Sequence, residues 1–178
     1  MATKQKPIKV CLINNGTARE TPWAHDLGPA SGPKGSRKVR LVNVPFFHAK
    51  PTWGDVIVVR PVDGVLTWDR EGASWEAVGK RIAEDGGRWA MILDYAPRGK
   101  TDVNGELAQA CAELDIACER AWPPDPTRAG RVFLAVGNTL TDAAVMSQLR
   151  AAKLPCELTQ IHPKPAPAKK PAKKKRKR

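Results

Sequence analysis

No two cysteines stand in a CxxC pair. Cys11, Cys111, Cys118 and Cys156 are scattered along the chain, and His25, His48 and His162 fall at no ligand spacing. Structural zinc takes four converging Cys or His ligands, usually supplied in close pairs. That arrangement is excluded, and reduced, mostly buried thiols are expected instead. No metal and no other cofactor is expected. Apolar runs are short as well, and none approaches the ~20 residues of a membrane-spanning helix. The opening MATKQKPIKV has no apolar signal core. No membrane association is therefore expected, and the location expected is cytoplasmic, with association with the nucleoid open. Catalytic signatures are missing too. There is no GxSxG, and Lys34-Gly35-Ser36 runs in the wrong order for a Walker phosphate loop. Asp94, Asp102 and Asp115 stand alone in the sequence. No residue is assigned to catalysis.

What the chain has in excess is positive charge, unevenly placed. The net charge is +12 over 178 residues. Lys164, Lys169, Lys170, Lys173, Lys174, Lys175, Arg176, Lys177 and Arg178 supply nine of those charges in a stretch without one acid, leaving +3 for the rest. Between them stand only Ala and Pro. Such a segment has no surface to bury against the entropy of ordering and is expected to be disordered when free. Clustered Lys and Arg release counterions from nucleic-acid phosphates, so DNA or RNA is the expected partner, without sequence preference. A solubilising tail is the plainer alternative. Lys173 to Arg178 also matches a nuclear-import pattern.

The remaining sequence is 42% apolar over the full chain, enough for a real core. Ile8, Val10, Leu12 and Ile13 predict a first strand, and Thr17 to Ser36 is Gly- and Pro-rich, with Gly28 to Ser36 a loop by composition. The stretch Val39 to Val59 reads as strand, apolar corner, turn and strand; two of the three Phe residues lie in it, at Phe46 and Phe47, beside Trp53. Side chains on a regular strand alternate, so one of the two Phe should be largely buried. Asp63-Gly64 between Val56–Arg60 and Val65–Trp68 predicts a hairpin. Trp75 to Glu84 fits both a Ser74-capped helix and a long strand, and Asp85-Gly86-Gly87 reads as a hairpin turn.

The second half has clearer periodicity. Arg88 to Tyr95 is a strand. Val103, Leu107, Ala110, Cys111 and Leu114 make one helical face behind an Asp102 cap. Strands follow at Ile116 to Trp122 and Arg131 to Val136. Next comes a helix capped by Thr139 or Thr141, and a last strand over Pro155 to Ile161. Leu107, Leu114, Leu140 and Leu149 should face one sheet holding Met91, Leu93, Phe133 and Leu158. The expected class is α+β. A small bent antiparallel sheet or partial barrel (1–87) precedes a ferredoxin-like, split-βαβ unit (88–162) and the basic tail (163–178). The two halves are expected to share the long strand entering Trp89.

Glu20, Trp23, Leu27-Gly28, Asn43-Val44-Pro45-Phe46-Phe47 and Gly54-Asp55-Val56 together resemble a bacterial family catalogued as domain of unknown function 4265. The resemblance spans Ile8 to Ile161 in element order and is most specific over Asn43–Val56. It favours the strand reading of Trp75 to Glu84 and implies a cytoplasmic bacterial protein, with no reaction to carry over. The chain departs from it at Pro51-Thr52-Trp53 and at Glu84-Asp85-Gly86-Gly87.

Phe47, His48, Trp53 and Asp55 form the candidate pocket, because a His near a carboxylate can move protons. The plainer reading makes Asp55 a turn residue bonding its own backbone. Six tryptophans beside Arg60, Arg70, Arg81 and Arg88 raise base stacking on a sheet face as a further candidate. The functional expectation is a non-enzymatic accessory protein held near nucleic acid by its tail. The alternatives are a protein-recognition module of immunity or regulatory type, and a small enzyme working near His48 and Asp55.

Overall fold

The computed structural model describes residues 6–14, 18–46, 50–69, 81–99, 101–121 and 129–162. The protein is α+β, with a curled seven-stranded sheet followed by a four-stranded sheet that carries two helices.

The first sheet is made of β1 (Ile8–Lys9), β2 (Cys11–Asn14), β3 (Ala18–Glu20), β4 (Trp23–Pro29), β5 (Arg37–Leu41), β6 (Val56–Val62) and β7 (Val65–Asp69). Only Val10 separates β1 from β2, and its N–H is donated to the Pro22 carbonyl. Ile8 faces Ala24 on β4 while Leu12 faces Glu20 on β3, so the two hairpin arms keep one register. β2 also runs parallel to β7, with Cys11 opposite Thr67. The first arm thereby touches both ends of the row β4-β5-β6-β7, and the sheet curls into a small barrel. Alternation fills it. Along β5, Val39 and Leu41 point inward while Lys38 and Arg40 face water. Val10, Leu12, Ile57, Val59 and Trp68 complete the interior. Each fully buried Leu, Ile or Val there contributes about 1.5–3 kcal/mol. The Asp-Gly hairpin is present: Asp63 (φ 49°) and Gly64 (φ 79°) both sit at positive φ between β6 and β7, as a type I′ turn requires.

The second sheet contains β8 (Arg88–Tyr95), β9 (Ala117–Ala121), β10 (Gly130–Gly137) and β11 (Cys156–His162), in the order β11-β8-β10-β9 and all antiparallel. Helix α1 (Val103–Glu113) follows β8, and helix α2 (Asp142–Ala151) follows β10. The Asp102 carboxylate caps α1 by accepting from the Gly105 amide at 3.0 Å. Of the two threonines, Thr141 is the cap of α2, accepting from the Ala144 amide. Val103, Leu107 and Cys111 on α1, with Val145, Met146 and Leu149 on α2, bury against Trp89, Met91, Leu93, Val132, Leu134 and Val136.

Three expectations are corrected and a fourth is refined. The loop expected over Gly28–Ser36 starts two residues later, because β4 runs on through Pro29; a shift in register between Asp26 and Gly28 accommodates the glycine without ending the ladder. Asp85-Gly86-Gly87 turns no hairpin, because Glu84 bridges to Val56. β8 belongs to the second sheet alone, so no long strand is shared. The expected leucines do meet one sheet, Leu107 and Leu149 buried on it and Leu114 and Leu140 packed against it, but within that sheet Phe133 turns away from them. It lies on the opposite face of β10, while Leu158, on the outer strand β11, is 38% exposed. The reading of Trp75 to Glu84 falls mainly on residues outside those described.

Phe133 matters because that opposite face is covered as well. Phe133 and Ala135, with Ile92 and Ala117, pack against Val44, Phe46 and Trp53 from the corner after β5. The sheet is therefore buried on both faces, and this explains the unbroken apolar run Val132–Val136. Phe46 is half-buried, its ring 4.8 Å from Phe133 between centroids. Phe46→Leu keeps the apolar contact and loses the ring pair. It should lower stability by about 0.5–1.5 kcal/mol in urea titrations; an unchanged midpoint would show that the ring pair contributes nothing.

Candidate functional site

The corner is held by polar side chains and backbone groups from several parts of the first half of the chain. The Phe46 amide donates to Glu20 Oε2 at 2.7 Å, and the Trp23 amide donates to Asn43 Oδ1 at 2.8 Å. The base of the loop closes through Leu41, whose N–H reaches the Asp55 carbonyl and whose carbonyl accepts from Gly54. Glu20, Trp23, Asn43, Phe46, Gly54 and Asp55 thus meet in one place, where the barrel abuts the second sheet.

Inside the loop lies a buried charge cluster. Lys50 and Asp55 are 5% and 0% exposed. Lys50 Nζ stands 3.1 Å from Asp55 Oδ1 and 2.9 Å from Asp85 Oδ1. The Thr52 amide donates to Asp55 Oδ2 and the Gly86 amide to Asp55 Oδ1, both at 2.7 Å. Burial pushes the Asp55 carboxyl above its ordinary range, against the pull of Lys50 and the two amides. For Asp85, burial is outweighed by Lys50 and the Gly87 amide, and that carboxyl sits below its usual range. Sequence reasoning found Asp55 and missed Lys50 and Asp85. A lysine five residues before a turn Asp carries no signal of burial.

This arrangement ties the turn at 50–55 to the segment at 84–87. Both Asp55 oxygens are occupied and no solvent reaches the carboxylate. It works as a structural clamp, in which the Thr52 amide supplies the local turn bond and Lys50 and Gly86 the rest. Phe47 and His48 of the candidate pocket lie outside the described residues, so Trp53 and Asp55 are the two members placed. Trp53 is half-buried beneath the Arg88 guanidinium, at 4.8 Å. Arg88 in turn reaches Asp115 at 2.9 Å and the Ala135 carbonyl at 3.3 Å.

Of the six tryptophans raised for base stacking, four are described, and these four do not share one open face. Trp68 and Trp89 are 5% and 2% exposed and sit in the two cores, with no ring face open to a base. Trp23 is exposed, but the Lys9 ammonium lies over its ring. Arg70, Trp75, Trp122 and the nine basic tail residues lie outside the described residues.

None of the four cysteines is in a disulfide. Hydrogen bonding with Cys118, then burial, pushes the Cys111 thiol up, and burial pushes Cys156 up to about 11. Little thiolate exists at neutral pH, and alkylation of both should be slow. Among the described residues no group of three or more His, Cys, Asp or Glu could hold a metal. Nor is any helix there long and apolar enough to cross a membrane.

Two surface ion pairs set an acid limb. The Arg37 guanidinium holds Asp26 below the usual carboxylate range, and Arg131 does the same for Asp94. Their folded forms release protons more readily than the unfolded chain, whose Asp titrates near about 3.9. The stability they add is present above that value and lost as pH falls through their folded values. The urea midpoint should therefore drop below about pH 4, and Asp94→Asn should flatten the drop. Identical acid profiles for variant and parent would remove Asp94 from the account.

Comparison with known proteins adds little. No family model matches the chain, and no curated protein matches it. Its fold is similar to a crystal structure of a hypothetical protein from Neisseria gonorrhoeae. That likeness has a TM-score of 0.43 and 9% identity, over 89% of this chain and 95% of the other.

Proposed function

We propose that this chain is a non-enzymatic accessory protein of the bacterial cytoplasm, allied to domain of unknown function 4265, that associates with DNA or RNA through Lys164 to Arg178. The observation that carries the reading is the segregation of charge. Nine of the twelve net charges stand in the last fifteen residues, with no acid among them. The folded part supports it by what it withholds. Arg37, Arg88, Arg98 and Arg131 are paired to carboxylates on the protein itself, and Arg88 also covers Trp53. The strand order β11-β8-β10-β9, with both helices buried on one face, supports a ferredoxin-like reading of the second unit. A protein-recognition role is the second reading, favoured by Leu158 standing exposed on the outer strand β11.

Titrating labelled duplexes of unrelated sequence at several salt concentrations tests the proposal. If about six phosphates are neutralised, log K should fall against log salt with a slope near roughly −5, alike for every duplex. Ending the chain after Pro163 should leave its thermal unfolding unchanged and weaken binding by orders of magnitude at low salt. Undiminished binding by the shortened chain would move recognition onto the folded body. Absence of binding by both forms would favour protein recognition.

A further inference from the structure

A cavity of about 390 Å³ opens beside β6 and β7, lined by Ser36, Arg60, Thr67, Trp68, Asp69 and Arg81 among others. Its size suits a small ligand, and its polar groups are of two kinds. Arg60 and Arg81 bring guanidinium donors, whose planar fork matches a phosphate. The same lining offers acceptors. The Ser36 hydroxyl donates to the Pro33 carbonyl at 2.7 Å and the Thr67 hydroxyl to the Val65 carbonyl at 3.0 Å. Both protons are spent within the protein, so those oxygens can only accept, as the Asp69 carboxylate does. Arg60, Trp68, Asp69 and Arg81 each make interactions within the protein, so a ligand would share those groups with them.

We propose that this cavity binds one phosphorylated, hydroxyl-bearing sugar unit, the chemistry of a nucleotide. The phosphate lies against Arg60 and Arg81, and the sugar hydroxyls donate to Ser36, Thr67 and Asp69. Inorganic phosphate fills only the first half and a nucleoside only the second. Trp68 is buried, so the base is not read by stacking on it. The site is independent of the tail. Its ligand is either a free nucleotide or one nucleotide of a strand, and only the strand form rests on the nucleic-acid reading above.

The test follows backbone and indole resonances of the isotope-labelled full chain while uridine monophosphate, uridine and inorganic phosphate are added in turn. Uridine monophosphate should give saturable shifts at Ser36, Thr67 and the Trp68 indole. Uridine and phosphate should each need about tenfold more to do so, the cost of one lost set of charge-assisted contacts. Arg60→Ala and Arg81→Ala, both at exposed positions, should each weaken the monophosphate by about tenfold or more while the rest of the spectrum stays that of the folded parent. A short uridine oligonucleotide that moves the same resonances and displaces the monophosphate identifies a strand as the source; monophosphate shifts without oligonucleotide shifts identify the free nucleotide. Shifts confined to residues away from the cavity, or unaltered by both arginine variants, would overturn the site. So would none at up to about 10 mM, an affinity weaker than any specific pocket. Because the readout is local, it stands or falls separately from the tail's salt-dependent binding.

Discussion

Lys50→Ala is expected to destabilise the protein by about 3–5 kcal/mol at neutral pH, the cost of stranding a buried charge by removing its partner. The partner left behind is Asp55, fully buried, its remaining support two backbone amides. Burial already pushes its carboxyl up, and loss of the ammonium raises it further. The sign of the pH dependence follows. A carboxyl raised in the folded state favours folding below its unfolded value and loses that contribution as pH rises through the folded one. The deficit of Lys50→Ala should therefore shrink as pH is lowered through about 3.9 and below, where Asp55 becomes neutral in the unfolded as well as the folded state. Adding Asp55→Asn should recover part of the loss at neutral pH, since a neutral amide no longer needs a cation. Urea titrations of the parent, both single variants and the double variant measure this as a cycle. A single variant within 1 kcal/mol of the parent, with no pH dependence, would mean the cluster is not the clamp described.

Gly86→Ala is the second large effect, expected at about 3 kcal/mol, the upper end for overpacking. A Cβ built there would stand 2.5 Å from the Gly54 carbonyl carbon and 2.8 Å from the Asp55 amide nitrogen. Both are backbone atoms and neither can rotate aside. Moving either one breaks the 2.7 Å bond from the Gly86 amide to Asp55. Gly87→Ala is the control. Its Cβ would meet nothing within 4 Å, and it pays only for a positive φ of 70°, about 1–2 kcal/mol. Thermal melts should rank Gly86→Ala well below Gly87→Ala. The reverse order would show that the approach of 54–55 to 86 is not close in solution.

Much of the second unit was legible because its signals are local. Asp102 caps α1, and the i, i+4, i+8 series Val103, Leu107, Cys111 faces the core; in the first unit the Asp63-Gly64 hairpin was legible for the same reason. What failed was non-local. Phe133 and Leu93 look alike in sequence, yet they lie on opposite faces, and nothing in the run Val132–Val136 says that both faces are covered. β4 was hidden because Gly28 and Pro29 carry turn signals that a shift in register absorbs.

The sequence by itself determined the α+β class, the helices, most strands of the second sheet, and the partition of charge between body and tail, since each depends on residues close along the chain. Tertiary structure alone decided three further things: that β2 closes the barrel against β7, that the corner roofs the second sheet, and that Lys50 is buried between Asp55 and Asp85. Each is a meeting of residues far apart in the chain or on different elements. The burial that sets which charges are paired and which rings are hidden exists only after those surfaces have met.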